Sequence, residues 1–259
     1  MIRCLLPVLL SIPTMQSAPA SRGAAESRPA GVHPISELGA LAKPKAGTTR
    51  VLLVRHGQSV GNATRDDPTL TDAQKDTLSE RGKAEAAQAG AALRAAGVAR
   101  LVHSPNVRAR ETAEIARAAF DSVKAPALVA EPAFRGIAIG KSPVPTLQAS
   151  QYLGASWQKG EDPKLEGGET LADVAARARD GAKKLAGETG AAAPIAIVTH
   201  GEVVAAWLAG FEAKAVPYFV SRVKIPNASI AAFDLGPGGE ATFLGVYVLP
   251  EEPAASRPK

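Results

Sequence analysis

Cysteine is almost missing from this chain: Cys4 is the only one in 259 residues, so no internal disulfide and no cysteine-based metal site can form. Aromatic residues supply only 4% of the sequence, too few to build a stacking platform for single-stranded nucleic acid. No run of five or six Lys or Arg occurs, although the formal charge is +5 and the pI is near 9.4. Scattered basic residues of this kind argue against nucleic acid and for a small anionic partner. Long apolar stretches are absent too, since the run from Ile2 to Ile12 is short and interrupted, which excludes a stable membrane span there. What the chain does have is 46% apolar residues, enough for a sizeable core in one large domain or at most two.

The N-terminus reads as an address. "MIRCLLPVLLSIPTM" places Arg3 before a short apolar run, and "SAPA" offers small residues for cleavage, so residues 1–20 are expected to be a signal peptide and the mature protein to be secreted or periplasmic. Pro7 and Pro13 break the apolar run, and the acid-poor stretch to Arg28 leaves open an organelle transit peptide or a cytoplasmic protein with a misassigned start. Residues 21–47, rich in Ala, Pro, Ser and Gly, read as a flexible linker that buries too little apolar surface to order itself. The folded domain is expected over 48–250, with a tail at 251–259.

Within that domain strand and helix patterns alternate. "RVLLV", "ARLVH", "PALVA" and "PIAIVT" read as short buried strands. "SERGKAEAAQAGAALRAAG", "NVRARETAEIARAAF", "TLADVAARARDGAKKLAG" and "EVVAAWLAG" read as helices. Thr170 and Asp173 have capping-box spacing. A loop-rich stretch is expected from Pro132 to Gly168, and two closing strands flank the "GPGG" turn. The pattern predicts a three-layer α/β/α sandwich whose mostly parallel sheet carries an antiparallel edge.

Ligands of such sheets collect at the carboxyl ends of the strands. Three segments deliver polar residues there: "VLLVRHGQSV" brings Arg55, His56 and Gly57, "IAIVTHGEVV" brings Thr199, His200 and Gly201, and "SPNVRARETA" brings Ser104 and Arg108. A strand-end histidine alone is commonly no more than a half-exposed polar residue; the joint occurrence carries the weight. Two histidines could bind a metal, but neighbouring guanidiniums oppose a cation and no Asp or Glu stands at ligand spacing. Arg55 and Arg108 instead suit the oxygens of a phosphoryl group. Backbone amides after Gly57 and at the helix start at Gly201 add to that site. A neutral imidazole beside such a group can attack phosphorus and form a phosphohistidine.

These segments, with "LSERG" before the first long helix and "GGET" before a later one, resemble the histidine phosphatase superfamily, phosphoglycerate-mutase-like branch 1, over roughly residues 50–235. The resemblance implies a phosphoglycerate-mutase-like fold with His56 as the phosphorylated nucleophile. Arg55, Asn62, Arg108 and His200 then bind the phosphoryl group, and neither a metal nor an organic cofactor is needed. The implied activity is that of a phosphoric monoester hydrolase acting on a small phosphorylated substrate or a phosphoprotein. A phosphoglycerate-type mutase and a non-catalytic phosphate- or phosphoprotein-binding module are the alternatives.

One departure concerns the proton donor. The family's glutamate precedes glycines by four and eight positions, whereas "EPAFRGIAIG" has Glu131 five and nine positions before Gly136 and Gly140. Ungapped alignment puts Pro132 in the donor slot. Either a bulge keeps Glu131 in place, or Glu202 takes the role, or no strong acid is used. Glu166 and Glu169 are expected to order the loop and the helix start, and His103 to pack at the rim. Arg110 is expected to point to solvent, while the scattered Arg135, Lys141 and Lys159 either meet a second anionic group on the substrate or form a solvated face. Tyr152 and Trp157 either roof the site or anchor the loop.

Overall fold

The computed structural model describes residues 31–64, 67–123, 125–189, 193–209 and 225–250; the expected signal peptide, the first part of the linker and the tail lie outside the described residues. The strands are β1 (Val32–Pro34), β2 (Thr49–Arg55), β3 (Arg100–His103), β4 (Ala127–Ala130), β5 (Ile195–Thr199), β6 (Ile230–Leu235) and β7 (Ala241–Val248). The α-helices are α1 (Val60–Thr64), α2 (Asp72–Lys75), α3 (Glu80–Ala95), α4 (Val107–Arg117), α5 (Ala149–Gln158), α6 (Leu171–Thr189) and α7 (Gly201–Ala209).

The strands form one seven-stranded sheet in the order β1-β7-β6-β2-β5-β3-β4. β2, β5, β3 and β4 run parallel, β6 is antiparallel to both β2 and β7, and β1 lies parallel to β7. Side chains of a strand alternate between faces, and β2 is buried on both. Val51 and Leu53 join the core beneath α6 and α7, while Leu52 and Val54 join the opposite core beneath α3 and α4. This makes the expected three layers. The capping box at the start of α6 is present: Asp173 N donates to Thr170 Oγ1 at 2.9 Å and Thr170 N to Asp173 Oδ2 at 3.1 Å.

Two expectations are corrected. Residues 32–40, read as linker, form β1 and a 3-10 turn (Ile35–Ala40) whose Ile35 and Leu38 are buried in the core under α3. Burying a leucine contributes about 1.5–3 kcal/mol, and the ring of His33 stacks on Tyr247 at 5.2 Å. A few spaced apolar residues in a small, Pro-rich composition suffice once β7 offers an edge. The stretch 132–168, read as loop, contains α5, whose Leu153 is buried although Gly154 and two serines lower its helix propensity. Tertiary packing decides both cases.

Because β2, β5 and β3 are adjacent and parallel, their carboxyl ends share one edge. His56 N donates to Thr199 O and Ser104 N to Val198 O, each at 2.9 Å, so the pairing of the strands carries on into the residues that follow them.

Candidate active site

The turn after β2 is braced from below. Gly57 N donates to Thr112 Oγ1 at 3.0 Å, and Gln58 N donates at 2.8 Å to Glu85, a buried carboxylate that also pairs with Arg81. Ser79 N donates to Gln58 O at 2.9 Å while the Ser79 hydroxyl caps α3. A Cβ on Gly82 would lie 2.0 Å from Gln58 O, so only glycine lets α3 approach the turn this closely. The "LSERG" segment is therefore the seat of the "RHG" turn.

On that seat His56 is nearly fully buried. Its Nδ1 donates to Gly57 O at 2.7 Å, which leaves Nε2 with a free lone pair that accepts from Arg108 Nε at 3.1 Å. Arg108 NH2 reaches His200 Nδ1 at 3.0 Å, so His200 carries its proton on Nε2 and donates it to Ser104 Oγ at 2.8 Å. Ser104 passes the chain on to Asn106 Oδ1 at 3.0 Å. The two imidazoles lie 5.3 Å apart between centroids. Burial holds His56 well below the ordinary histidine value, and His200, Arg108 and Arg55 add to the effect. Burial does the same to His200, with Arg108, Arg177 and Arg55 contributing. Both rings are neutral.

Arg108 is aimed by a residue the sequence reading did not single out. Asp76, just after α2, accepts from Arg108 NH1 with one oxygen and from Val107 N at 2.9 Å with the other. It thereby caps α4 from outside while orienting the guanidinium. Arg55 NH1 donates to Ile225 O, and its Nε is buried without a partner among the described residues. Burial lowers the pKa of Arg55 from its ordinary value, with Glu202 and Glu85 acting in the opposite direction. Gly201 opens α7 against this side chain, where a Cβ would sit 3.2 Å from Arg55 Nε.

Arg55, His56, Asn62, Arg108, Gly201 and Glu202 all line one cavity of about 770 Å³. His200 lies directly behind Arg108 as the hydrogen bonds above describe. Asn62 is fixed at the rim, its Oδ1 accepting from Ser59 N and from Asn227 Nδ2, each at 3.4 Å.

Glu131 is not brought there. It caps the 3-10 turn Pro132–Phe134, its carboxylate accepting from Ala133 N at 3.3 Å and facing Lys184 Nζ at 3.8 Å on α6. Pro132, with its fixed φ, starts the turn and sends Phe134 into the core, and in this arrangement the Glu131 carboxylate is engaged by the turn and Lys184 and not by the cavity that His56 lines. Glu202 instead stands in the cavity wall, its Oε1 accepting from Ile137 N at 3.2 Å. Glu169 orders the loop as expected, binding Arg135, Arg177 and the Ala138 amide at 2.8–3.2 Å. Burial alone would raise its pKa, but these hydrogen bonds hold the carboxyl below its usual range. His103 is buried, and its Nδ1 contacts Ser104 O at 2.8 Å; Arg110 is exposed beside Glu114.

The profile of the histidine phosphatase superfamily (branch 1) matches residues 51–244. The chain belongs to this superfamily. Among its relatives, a protein of Erwinia tasmaniensis named "Probable phosphoglycerate mutase GpmB" is 28% identical over 193 residues, covering 71% of this chain and 84% of its own. Among solved structures, mycobacterial glucosyl-3-phosphoglycerate phosphatase superimposes with a TM-score of 0.59 at 24% identity, over 78% of this chain and 100% of that one. YhfR of Bacillus stearothermophilus does so with a TM-score of 0.60 at 23% identity, over 75% and 95%. Phosphoserine phosphatase of Entamoeba histolytica gives a TM-score of 0.58 at 16% identity, over 77% and 97%. The histidine phosphatase fold is thus shared, with the "RHG", "SPNVRARETA" and "THG" segments of this chain gathered at one sheet edge.

Proposed function

We propose that this histidine phosphatase is a metal-independent phosphomonoesterase working through a phosphohistidine on His56. The observation that carries the proposal is the lone pair of His56 Nε2, held neutral and unprotonated by the Gly57 carbonyl and by burial, beside two guanidiniums. A phosphoryl group entering the cavity takes over the donors of Arg108 that now serve the imidazoles, together with the Nε of Arg55, which has no partner among the described residues. Two guanidiniums at one spot create an anion site and oppose a bound cation.

In the first step Nε2 forms a bond to phosphorus as the P–O bond to the leaving alcohol breaks, and the departing oxygen takes a proton from the Glu202 carboxyl. In the second, water attacks the phosphohistidine, gives its proton to the Glu202 carboxylate and releases phosphate, which restores the lone pair on Nε2. The cavity, at about 770 Å³, has room for a phosphoryl group and an attacking water together, as hydrolysis requires. The test is direct. Brief incubation with ³²P-labelled substrate followed by an alkaline quench is expected to trap an acid-labile, base-stable phosphoenzyme, in excess chelator as well as without it. Absence of that species from the wild-type chain overturns the proposal.

The geometry at Asp76 yields a second expectation. Asp76→Asn retains an oxygen for Val107 N but turns an amide N–H toward Arg108. A misaimed clamp acts on the transition state, so kcat/KM is expected to fall about tenfold or more with little change in melting temperature. Steady-state kinetics beside a thermal melt checks this, and an equal loss in folding stability would reduce Asp76 to a helix cap.

A further inference from the structure

A second cavity of about 300 Å³ opens beside the first and shares Asn106, Arg108, Ile139 and Glu202 with it. Its far wall is built by α5, the helix hidden in a stretch that reads as loop. Ser150, Leu153 and Trp157 fall at i, i+3 and i+7, so one face of α5 is turned to this space. Ile137 and Ile139 close it from the segment that Glu169 and Arg177 clamp in place.

The lining has three chemical features. Most of it is apolar. The Nε1 of Trp157 is a buried donor with no acceptor among the described residues. Of positive side chains, the described lining contains only Arg108, which is engaged by Asp76 and both imidazoles and is the group that the phosphoryl oxygens take over. A carboxylate placed there would lose its hydration with no free counter-ion in the described lining to replace it.

Resting on the phosphatase reading above, we infer that this annex holds the leaving group, and that the substrate is the phosphomonoester of an uncharged, largely apolar alcohol carrying one hydrogen-bond acceptor for Trp157. The volume corresponds to about ten waters, the space of a one- or two-ring body. Glu202 stands where the two cavities meet, which is where the bridging oxygen of such an ester must lie. Phosphorylated carboxylic acids, such as those for which the structural neighbours are named, are disfavoured by the same lining.

The experiment compares 2-phenylethyl phosphate, 2-(4-methoxyphenyl)ethyl phosphate and 3-phosphoglycerate, all esters of aliphatic alcohols, with the full chain. The two aryl-ethyl esters are expected to exceed 3-phosphoglycerate by about 10²-fold in kcat/KM, with the methoxy compound the best. Trp157→Phe should erase the advantage of the methoxy compound over 2-phenylethyl phosphate, lowering its turnover about three- to tenfold more than that of the parent ester. Ile139→Lys, at a partly exposed position that tolerates a charge, should raise 3-phosphoglycerate turnover and lower that of both aryl-ethyl esters. A wild-type preference for 3-phosphoglycerate overturns this inference and leaves the phosphatase standing. If none of the three compounds phosphorylates His56, both fall together.

Discussion

His56→Ala is expected to abolish the trapped phosphoenzyme and to lower kcat by about 10⁴-fold or more, the scale seen when a covalent nucleophile is deleted. Binding of inorganic phosphate should survive within several-fold, because Arg55 and Arg108 remain and the alanine relieves Arg108 of one acceptor. This combination separates an enzyme from a phosphate-binding module, for which turnover is absent from the start. Calorimetric titration with phosphate, run beside the turnover assay, reads both quantities.

The pH dependence follows from the same burial. His56 and His200 sit well below their ordinary value in the folded protein, and unfolding returns them to about 6.5. Between those limits the unfolded chain binds protons that the folded chain refuses, so stability present above about pH 6.5 is lost progressively as pH falls. Activity behaves differently. After correction for the second ionisation of the substrate phosphate near pH 6, kcat/KM should show no acid limb at about 6.5, because His56 keeps its lone pair well below that pH. An acid limb at the ordinary histidine value would mean that Nε2 is not held neutral by its surroundings.

Much of this site is legible in the sequence because its parts follow strand ends. "VLLV", "RLVH" and "IAIVT" are short and apolar, so the residues after them lie at one edge once the strands are parallel, and His56, His200 and Arg108 come together without knowledge of any contact. The counter-charge was not legible. Asp76 stands 32 residues from Arg108, on a segment with no hydrophobic period, and nothing local in "QKDTL" announces a partner. The edge strand β1 was hidden for a related reason, since three residues in a Pro- and Ala-rich stretch carry almost no pattern until β7 gives them a register. α5 was obscured by its own glycine and serines. One of its faces forms a wall of the second cavity, which exists only after the fold has formed.

Glu202→Gln is expected to separate substrates by leaving group. Turnover of an alkyl phosphate should drop by about 10²- to 10⁴-fold, the range of general acid catalysis, while p-nitrophenyl phosphate is spared because its leaving anion needs no proton. Glutamine keeps an oxygen that can accept from Ile137 N, so the clamped loop stays in place and the loss reports proton transfer alone. Glu131→Gln should leave both substrates within about twofold: its carboxylate caps the Pro132–Phe134 turn and faces Lys184, and a glutamine oxygen can still accept from Ala133 N. Plotting log kcat for a series of phosphates against the pKa of the leaving alcohol gives the clearest view, with a steep slope for Glu202→Gln and a shallow one for the wild type. If the steep slope instead appears in Glu131→Gln, the 3-10 turn must open in the catalytic complex and carry Glu131 across. If both variants keep the shallow slope, the departing oxygen takes its proton from water, and the place of Glu202 at the junction of the two cavities serves only to anchor the segment above it.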